Sequence, residues 1–318
     1  MRLERSAAVL GEIAPSDLTL TVGNFDGVHR GHREVFAELL RSATFRGTPA
    51  VVVTFEPHPL TVVGEEPAPG LLSPGREREE LIEAEGVDLL LCLEFTPALS
   101  TLSAQAFLGL LSVGAGSHLV LGYDFRMGSE RACDVGRMGA IGRSIGFGLD
   151  VIPPVTYEGR PISSSRLREE IAAGEVEAAA AMLGREYVVR GDIVDGAGRG
   201  RELGYPTLNV NPPARKLLPG DGVYLARVSG VGPTDRAGLL YVGKRPTLSD
   251  ERPRSVEIHL PAGPPRGRGV PCAALLTRLR PDRQFESADQ LATAIGRDIE
   301  HARSLLREGP DAWRTISF

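Results

Sequence analysis

Near residue 184 this chain changes texture, and the change leaves few folds open to it. Before that point short apolar runs alternate with amphipathic stretches. Leu18 to Val22 reads as a strand, Gly31 to Arg41 as a helix with Val35, Phe36, Leu39 and Leu40 on its apolar side, and Ala50 to Phe55 as a buried parallel strand. A helix over 77–85, a strand over 87–93, a helix over 104–111, a strand over 118–121, a loop over 122–134, a Gly-rich helix over 137–146 and a strand over 149–152 continue the alternation. Such a chain folds as a doubly wound parallel sheet, with ligands at the carboxyl ends of the strands. Residues 166–184 read as two helical segments parted at Gly174, with Gly184 as the stop. Strand-like runs then follow at 187–194, 222–228, 237–242, 255–260 and 273–279 with no helix between them. That is the pattern of a small antiparallel barrel, and 287–307 reads as a closing amphipathic helix. The expected organisation is an α/β domain over 1–184 and a β-barrel domain over 185–318.

A net charge of −5 argues against a nucleic-acid binder, which needs a basic footprint, but not against ATP, which local amides and cations can hold. Cys92, Cys133 and Cys272 are scattered, with neither zinc spacing nor a disulfide framework. The N-terminal stretch lacks a long apolar core, and no apolar run reaches the about 18 residues of a membrane span. The cytoplasm is the expected compartment, without membrane partners, and assembly into a homo-oligomer is compatible with the sequence.

Three stretches carry chemistry. In Gly23-Asn-Phe-Asp-Gly-Val-His-Arg-Gly-His32, two of the six histidines stand three apart where a strand becomes a helix. Gly31 allows close backbone approach, and His32 sits beside the amides and positive dipole of the first turn, a combination that binds phosphate. Two imidazoles there can stabilise charge building on a triphosphate. A metal pair would need a third ligand, and HExxH is absent. Ser163-Ser-Ser-Arg166 precedes another helix; alone it reads as an N-cap, and beside the histidine stretch as a second phosphate contact. The Gly-rich loop 196–204 runs into Thr207 and Asn209, two apart and so on one face of a strand, both hard oxygen ligands suited to magnesium shared with nucleotide phosphates. Alone it reads as a polar hairpin with glycines at its turns. In Ser255 to Leu260, alternation sets Glu257 and His259 opposite Val256, Ile258 and Leu260; a carboxylate facing a phosphate site can accept the proton of an attacking hydroxyl.

GNFDGVHRGH, TFEPHP at 54–59, GYDFRMG at 122–128, Arg131-Ala-Cys-Asp134 and ISSSRLRE at 162–169, in this order, resemble the adenylyltransferase half of the prokaryotic bifunctional riboflavin kinase/FMN adenylyltransferase family. GYPTLN, Gly222-Val-Tyr224, Gly243-Lys-Arg-Pro-Thr247 and the VEIHL strand resemble its riboflavin kinase half. The resemblance implies a nucleotidyltransferase domain followed by a barrel kinase domain, with riboflavin, FMN and ATP as substrates and Mg2+ as cofactor. It implies that His29 and His32 assist adenylyl transfer, that Ser163, Ser164, Ser165 and Arg166 hold ATP phosphates, and that Gly23, Asn24, Phe25, Asp26, Gly31 and Asp124 surround the ligands. Phe55, Pro57, Pro59 and Phe125 would wall the flavin, although Phe55 and His58 read equally well as core. In the second half, Gly198, Gly200 and Gly204 would cradle phosphates, Thr207 and Asn209 would place magnesium-ATP, and Glu257 would act as base.

The chain departs from the family pattern in places. Tyr241-Val-Gly-Lys stands where Asn-Ile-Gly-Thr is usual, the loop 261–269 lacks the usual acid and aromatic, and Tyr123 and Cys133 replace residues that are often Asp and Gly. Two rival readings follow: an enzyme with one working half, its kinase weakened, or a non-catalytic flavin- or nucleotide-sensing protein.

Overall fold

The computed structural model describes residues 1–13, 17–63, 68–128, 132–196, 199–243, 254–263, 269–310, 313 and 316. The chain divides into two compact units, Met1–Ser164 and Ser165–Phe318.

The first unit contains β1 (Arg2–Glu4), α1 (Ala8–Ile13), β2 (Thr19–Val22), α2 (Arg30–Arg46), β3 (Ala50–Glu56), α3 (Arg76–Glu83), β4 (Leu89–Glu94), α4 (Pro97–Ser100), α5 (Ala104–Leu110), β5 (His118–Gly122), the hairpin β6 (Arg126–Met127) and β7 (Cys133–Asp134), α6 (Val135–Ile145), β8 (Gly148–Ile152), and a small hairpin of β9 (Thr156–Tyr157) and β10 (Arg160–Pro161). Six strands form one parallel sheet in the order β1-β4-β3-β2-β5-β8. Both faces are covered, so apolar residues run continuously along the central strands. Val51 and Val53 face one core, with Leu20, Leu89 and Leu91 and with Phe107 and Leu108 of α5. Val52, Leu90 and Val120 face the other, against Phe36 and Leu39 of α2 and Ile82 of α3. From β2 the order runs through β3 to β4 on one side and to β5 on the other. The carboxyl ends of β2 and β5 therefore flank a topological switch point, where open α/β sheets take their ligands.

The second unit begins with α7 (Ser164–Ala173, all but its first residue) and α8 (Val176–Leu183), continues through β11 (Tyr187–Arg190), β12 (Asp192–Val194), the four-residue α9 (Arg199–Glu202), β13 (Thr207–Asn211), β14 (Gly222–Ser229), β15 (Arg236–Gly243), β16 (Ser255–His259) and β17 (Cys272–Pro281), and ends in α10 (Ala288–Glu308). The seven strands pair antiparallel in the order β11-β17-β14-β15-β16-β13-β12. The stretch 187–194, which reads as one strand, is two, and they form the two edges of the sheet. Only Gly191 separates those edges in the chain, so the sheet must curl round on itself. A Cβ at Gly191 would run into the Asn211 carbonyl, which is why a glycine turns this corner. A short helix, α9, also interrupts the strand series where none was expected. Helices α7 and α8 group with the barrel for a visible reason. The Gly220 N–H donates to the Ile171 carbonyl at 3.0 Å, and the Arg278 guanidinium donates to the Ala173 carbonyl at 2.9 Å. Helix α10, capped by the Ser287 hydroxyl, lays Ile299, Ala302 and Leu306 on Val223, Leu225, Leu239 and Leu276. Arg280 grips buried Asp298 through both carboxylate oxygens at 3.0 Å.

Strand β1 and helix α1 were not foreseen; three residues pairing with β4 leave no periodic signal of their own. The three cysteines form no disulfide.

Candidate active sites

In the first unit the turn after β2 is built under strain. Phe25 has φ 49° and Val28 φ 37°, backbone states that cost non-glycine residues about 1–3 kcal/mol each. Burial holds the turn in place: Phe25 packs edge-on to His32 at 5.2 Å and against Phe36 at 4.8 Å. Gly23 leaves room for that ring, which a Cβ would meet at 2.8 Å. The Asp26 carboxylate accepts the Leu72 and Ser73 amides at 3.1 and 2.9 Å, and the Gly27 N–H donates to the Ser73 hydroxyl at 2.8 Å. Asp26 thus braces the turn against residues 71–73, a tie between distant segments that the sequence does not display.

His29 ends this turn as the N-cap of α2, its Nδ1 accepting the His32 N–H at 3.3 Å. That bond leaves Nε2 as the proton-bearing atom of the neutral ring, a donor suited to a phosphate oxygen. The His29 and His32 rings stack at 3.6 Å, and the ring of His29 fits because residue 31 has no side chain; a Cβ there would come within 3.2 Å of it. The Ser164 hydroxyl donates to the Asp26 carbonyl at 2.9 Å, so Ser164 meets the histidine turn. Ser163 is half-buried, Ser165 is exposed, and Arg166, buried on α7, has its Nε 3.8 Å from a Glu170 carboxylate oxygen.

Aromatic residues gather at the ends of β3, β4 and β5. Phe55 packs on Phe95 at 5.4 Å and Phe107 at 6.0 Å, with half-buried Phe125, Leu102 and Met127 against the same cluster. Phe55 is largely core, while Phe95 and Phe125 keep an open side. Pro57 is exposed and Pro59 half-buried. His58 caps the turn Pro59–Thr61, its Nδ1 accepting the Leu60 N–H at 3.2 Å. Asp124 is exposed in the turn after β5. Arg131 lies outside the described residues.

In the second unit the register decides which groups meet. Asn209 on β13 and Tyr241 on β15 both lie opposite Glu257 on β16, and Thr207 lies opposite His259. Directly paired residues share a face, so Thr207, Asn209, Glu257 and Tyr241 point the same way. The Thr207 hydroxyl donates to one Glu257 oxygen at 3.0 Å and the Ser255 hydroxyl to the other at 3.0 Å. Gly196 and Gly200 approach them closely: a Cβ at Gly196 would overlap the Asn209 amide, and one at Gly200 would lie 3.3 Å from the Thr207 hydroxyl. Gly204 takes φ 82°. Gly196→Ala is therefore expected to displace the Asn209 amide and weaken any function of this face by about tenfold while leaving the first unit's function unchanged, as assays of each unit would show. Gly198, residues 244–247 and residues 264–268 lie outside the described residues.

The Tyr241 hydroxyl donates to Asp282 at 3.3 Å; burial first, then the Asp282 carboxylate, push its phenol far above the ordinary tyrosine range, so it stays a donor. Buried His259 donates from Nδ1 to the Pro206 carbonyl at 2.9 Å and stands edge-on to Tyr205. Burial lowers its affinity for a second proton, and the Pro206 bond only partly opposes this. The unfolded ring takes up that proton near pH 6.5, the folded ring only at lower pH. Stability from the neutral ring is thus fully present above about pH 6.5 and lost as pH falls toward the folded value. Thermal unfolding followed by the single tryptophan, Trp313, which packs on this unit's core, should show that loss, and His259→Gln should flatten it.

Residues 12–166 match the family model for FAD synthetase and residues 183–306 the model for riboflavin kinase. A bifunctional riboflavin kinase/FMN adenylyltransferase of Escherichia coli strain K12 is 34% identical over 307 residues, spanning 95% of this chain and 97% of the relative.

The chain belongs to the bifunctional riboflavin kinase/FMN adenylyltransferase family.

The family member of Pseudomonas fluorescens is 36% identical over 90% of this chain and 92% of its own length. A solved structure from Streptococcus pneumoniae, named as a macrolide-efflux protein, shares the fold with TM-score 0.82 at 29% identity, covering 95% of this chain and 98% of that one. Among the described residues of this family member, no helix is long and apolar enough to cross a membrane.

Proposed function

We propose that residues 1–184 adenylylate FMN to FAD and residues 185–318 phosphorylate riboflavin to FMN, each with its own ATP site. The two family matches, which leave residues 167–182 between them, support this division. In the first half, an FMN phosphate oxygen attacks the α-phosphorus of ATP, and the bond from that phosphorus to the β-phosphate oxygen breaks to release pyrophosphate. His29 and His32 donate to the charge that builds there, Ser163, Ser164, Ser165 and Arg166 hold phosphate oxygens, and Gly23, Asn24, Phe25, Asp26 and Gly31 shape the turn that receives them. Phe55, Pro57, Pro59, Asp124 and Phe125 border the flavin. In the second half, the riboflavin 5′-hydroxyl attacks the γ-phosphorus, its proton passes to Glu257, and ADP leaves. Gly198, Gly200 and Gly204 line the phosphates.

The donor set in the barrel fits magnesium. Thr207 gives its proton to Glu257, which leaves its oxygen lone pairs for a cation, and Asn209 beside it offers an amide oxygen. No group of three His, Cys, Asp or Glu residues that could hold a metal occurs among the described residues, and magnesium shared with phosphates needs few protein ligands. When bound, it would neutralise charge on the transferring phosphates. The cytoplasm remains the proposed compartment, with no nucleic-acid or membrane partner.

The observation that carries this reading is the shared face of Thr207, Asn209 and Glu257, with Gly196 and Gly200 close against it. Incubation of purified protein with riboflavin, ATP and magnesium, with the flavins resolved by chromatography, tests it. FAD should appear through FMN. FAD formed only from added FMN would leave the kinase assignment without support, and tight flavin binding with no conversion would mark a sensor.

A further inference from the structure

Arg78 belongs to no motif, yet its guanidinium is one of the most deeply buried charges in the first unit, 3% exposed. From α3 it donates to the Asn24 carbonyl at 3.1 Å, to the Phe55 carbonyl at 2.7 Å and to a Glu56 carboxylate oxygen at 2.8 Å. The Thr54 hydroxyl donates to the same Asn24 carbonyl at 3.2 Å. Asn24 opens the strained turn that ends in His29. Phe55 and Glu56 end β3 and lead into Pro57 and Pro59. One planar group therefore ties two segments that reach the carboxyl edge of the sheet separately, each from its own strand. Its Nε is buried with no partner among the described residues. A buried donor left unmet costs stability, so folding alone does not explain an arginine at this place.

We propose that Arg78 is a positioning residue for adenylyl transfer: its guanidinium sets the spacing between the nucleotide turn and the segment bordering the flavin. This rests on the reading that those two segments hold ATP and FMN. A fork with several fixed donors can hold two carbonyls and a carboxylate at once, whereas an ammonium on a flexible stem cannot. In-line displacement depends on the alignment of attacking oxygen and phosphorus, so loosening the tie acts on the rate of the bound complex more than on its formation.

The test uses Arg78→Lys in the full chain. The substitution keeps a positive charge near Glu56 and removes the fork. FAD formation from FMN should lose about tenfold to a hundredfold in kcat while KM for ATP and FMN stays within about threefold. Calorimetric binding of ATP should keep its stoichiometry, and FMN formation from riboflavin should be unchanged. Thr54→Val serves as the second variant, removing the other donor to Asn24; it should lower kcat in the same direction by less. Wild-type kcat in Arg78→Lys overturns the proposal. So does a rise in KM with kcat intact, or, where Arg78→Lys fails to fold, wild-type kcat in Thr54→Val. Failure of the underlying reading would look different, with His29→Ala still forming FAD.

Discussion

His29→Ala should lower FAD formation from FMN by about 10²- to 10³-fold while riboflavin is still converted to FMN, the size expected when one donor to developing charge is removed. The ring does two things at once. Its Nδ1 caps α2 at the His32 N–H, and its Nε2 bears the proton that can meet a phosphate oxygen. Losing the cap costs about 1 kcal/mol of local stability. That is too little to unfold a unit whose sheet is covered on both faces. The loss should therefore appear in kcat and not in the amount of folded protein. His29→Asn is the informative companion. It restores a cap but not the donor at the ring's far end, and should remain nearly as slow as alanine.

Glu257→Gln should do the reverse. FMN formation should fall by about 10²- to 10⁴-fold, the range for loss of a general base, with adenylylation of added FMN unaffected. Glutamine keeps the size and one acceptor of the carboxylate, so Thr207 and Ser255, each 3.0 Å from a carboxylate oxygen, keep most of their packing. What is lost is the ability to take the proton of the attacking hydroxyl.

Much of this was legible in the residues themselves because the signals were local. Strand–helix alternation announced the parallel sheet, and the period of two placed Thr207 with Asn209 and Glu257 with His259, which the barrel register then set on one face. What stayed hidden was long-range. Nothing in residues 187–194 shows that Gly191 divides them between opposite edges of one sheet. Asp26 reads as a ligand in a phosphate turn, yet its carboxylate is engaged by the amides of Leu72 and Ser73. Arg78 sits in a run of charges, Arg76 to Glu80, where only its place four residues before buried Ile82 marks it as facing inward. Phe55 was balanced between core and contact because an aromatic at a strand's carboxyl end serves either; its packing on Phe95 and Phe107 places most of it in the core.

The most direct measurement mixes the two variants. His29→Ala alone should stop at FMN, and Glu257→Gln alone should leave riboflavin untouched. Together, with ATP and magnesium, they should make FAD, because FMN released by one protein is adenylylated by the other. A mixture that makes no FAD, with both proteins folded and FMN accumulating, would contradict two independent phosphate sites in one chain.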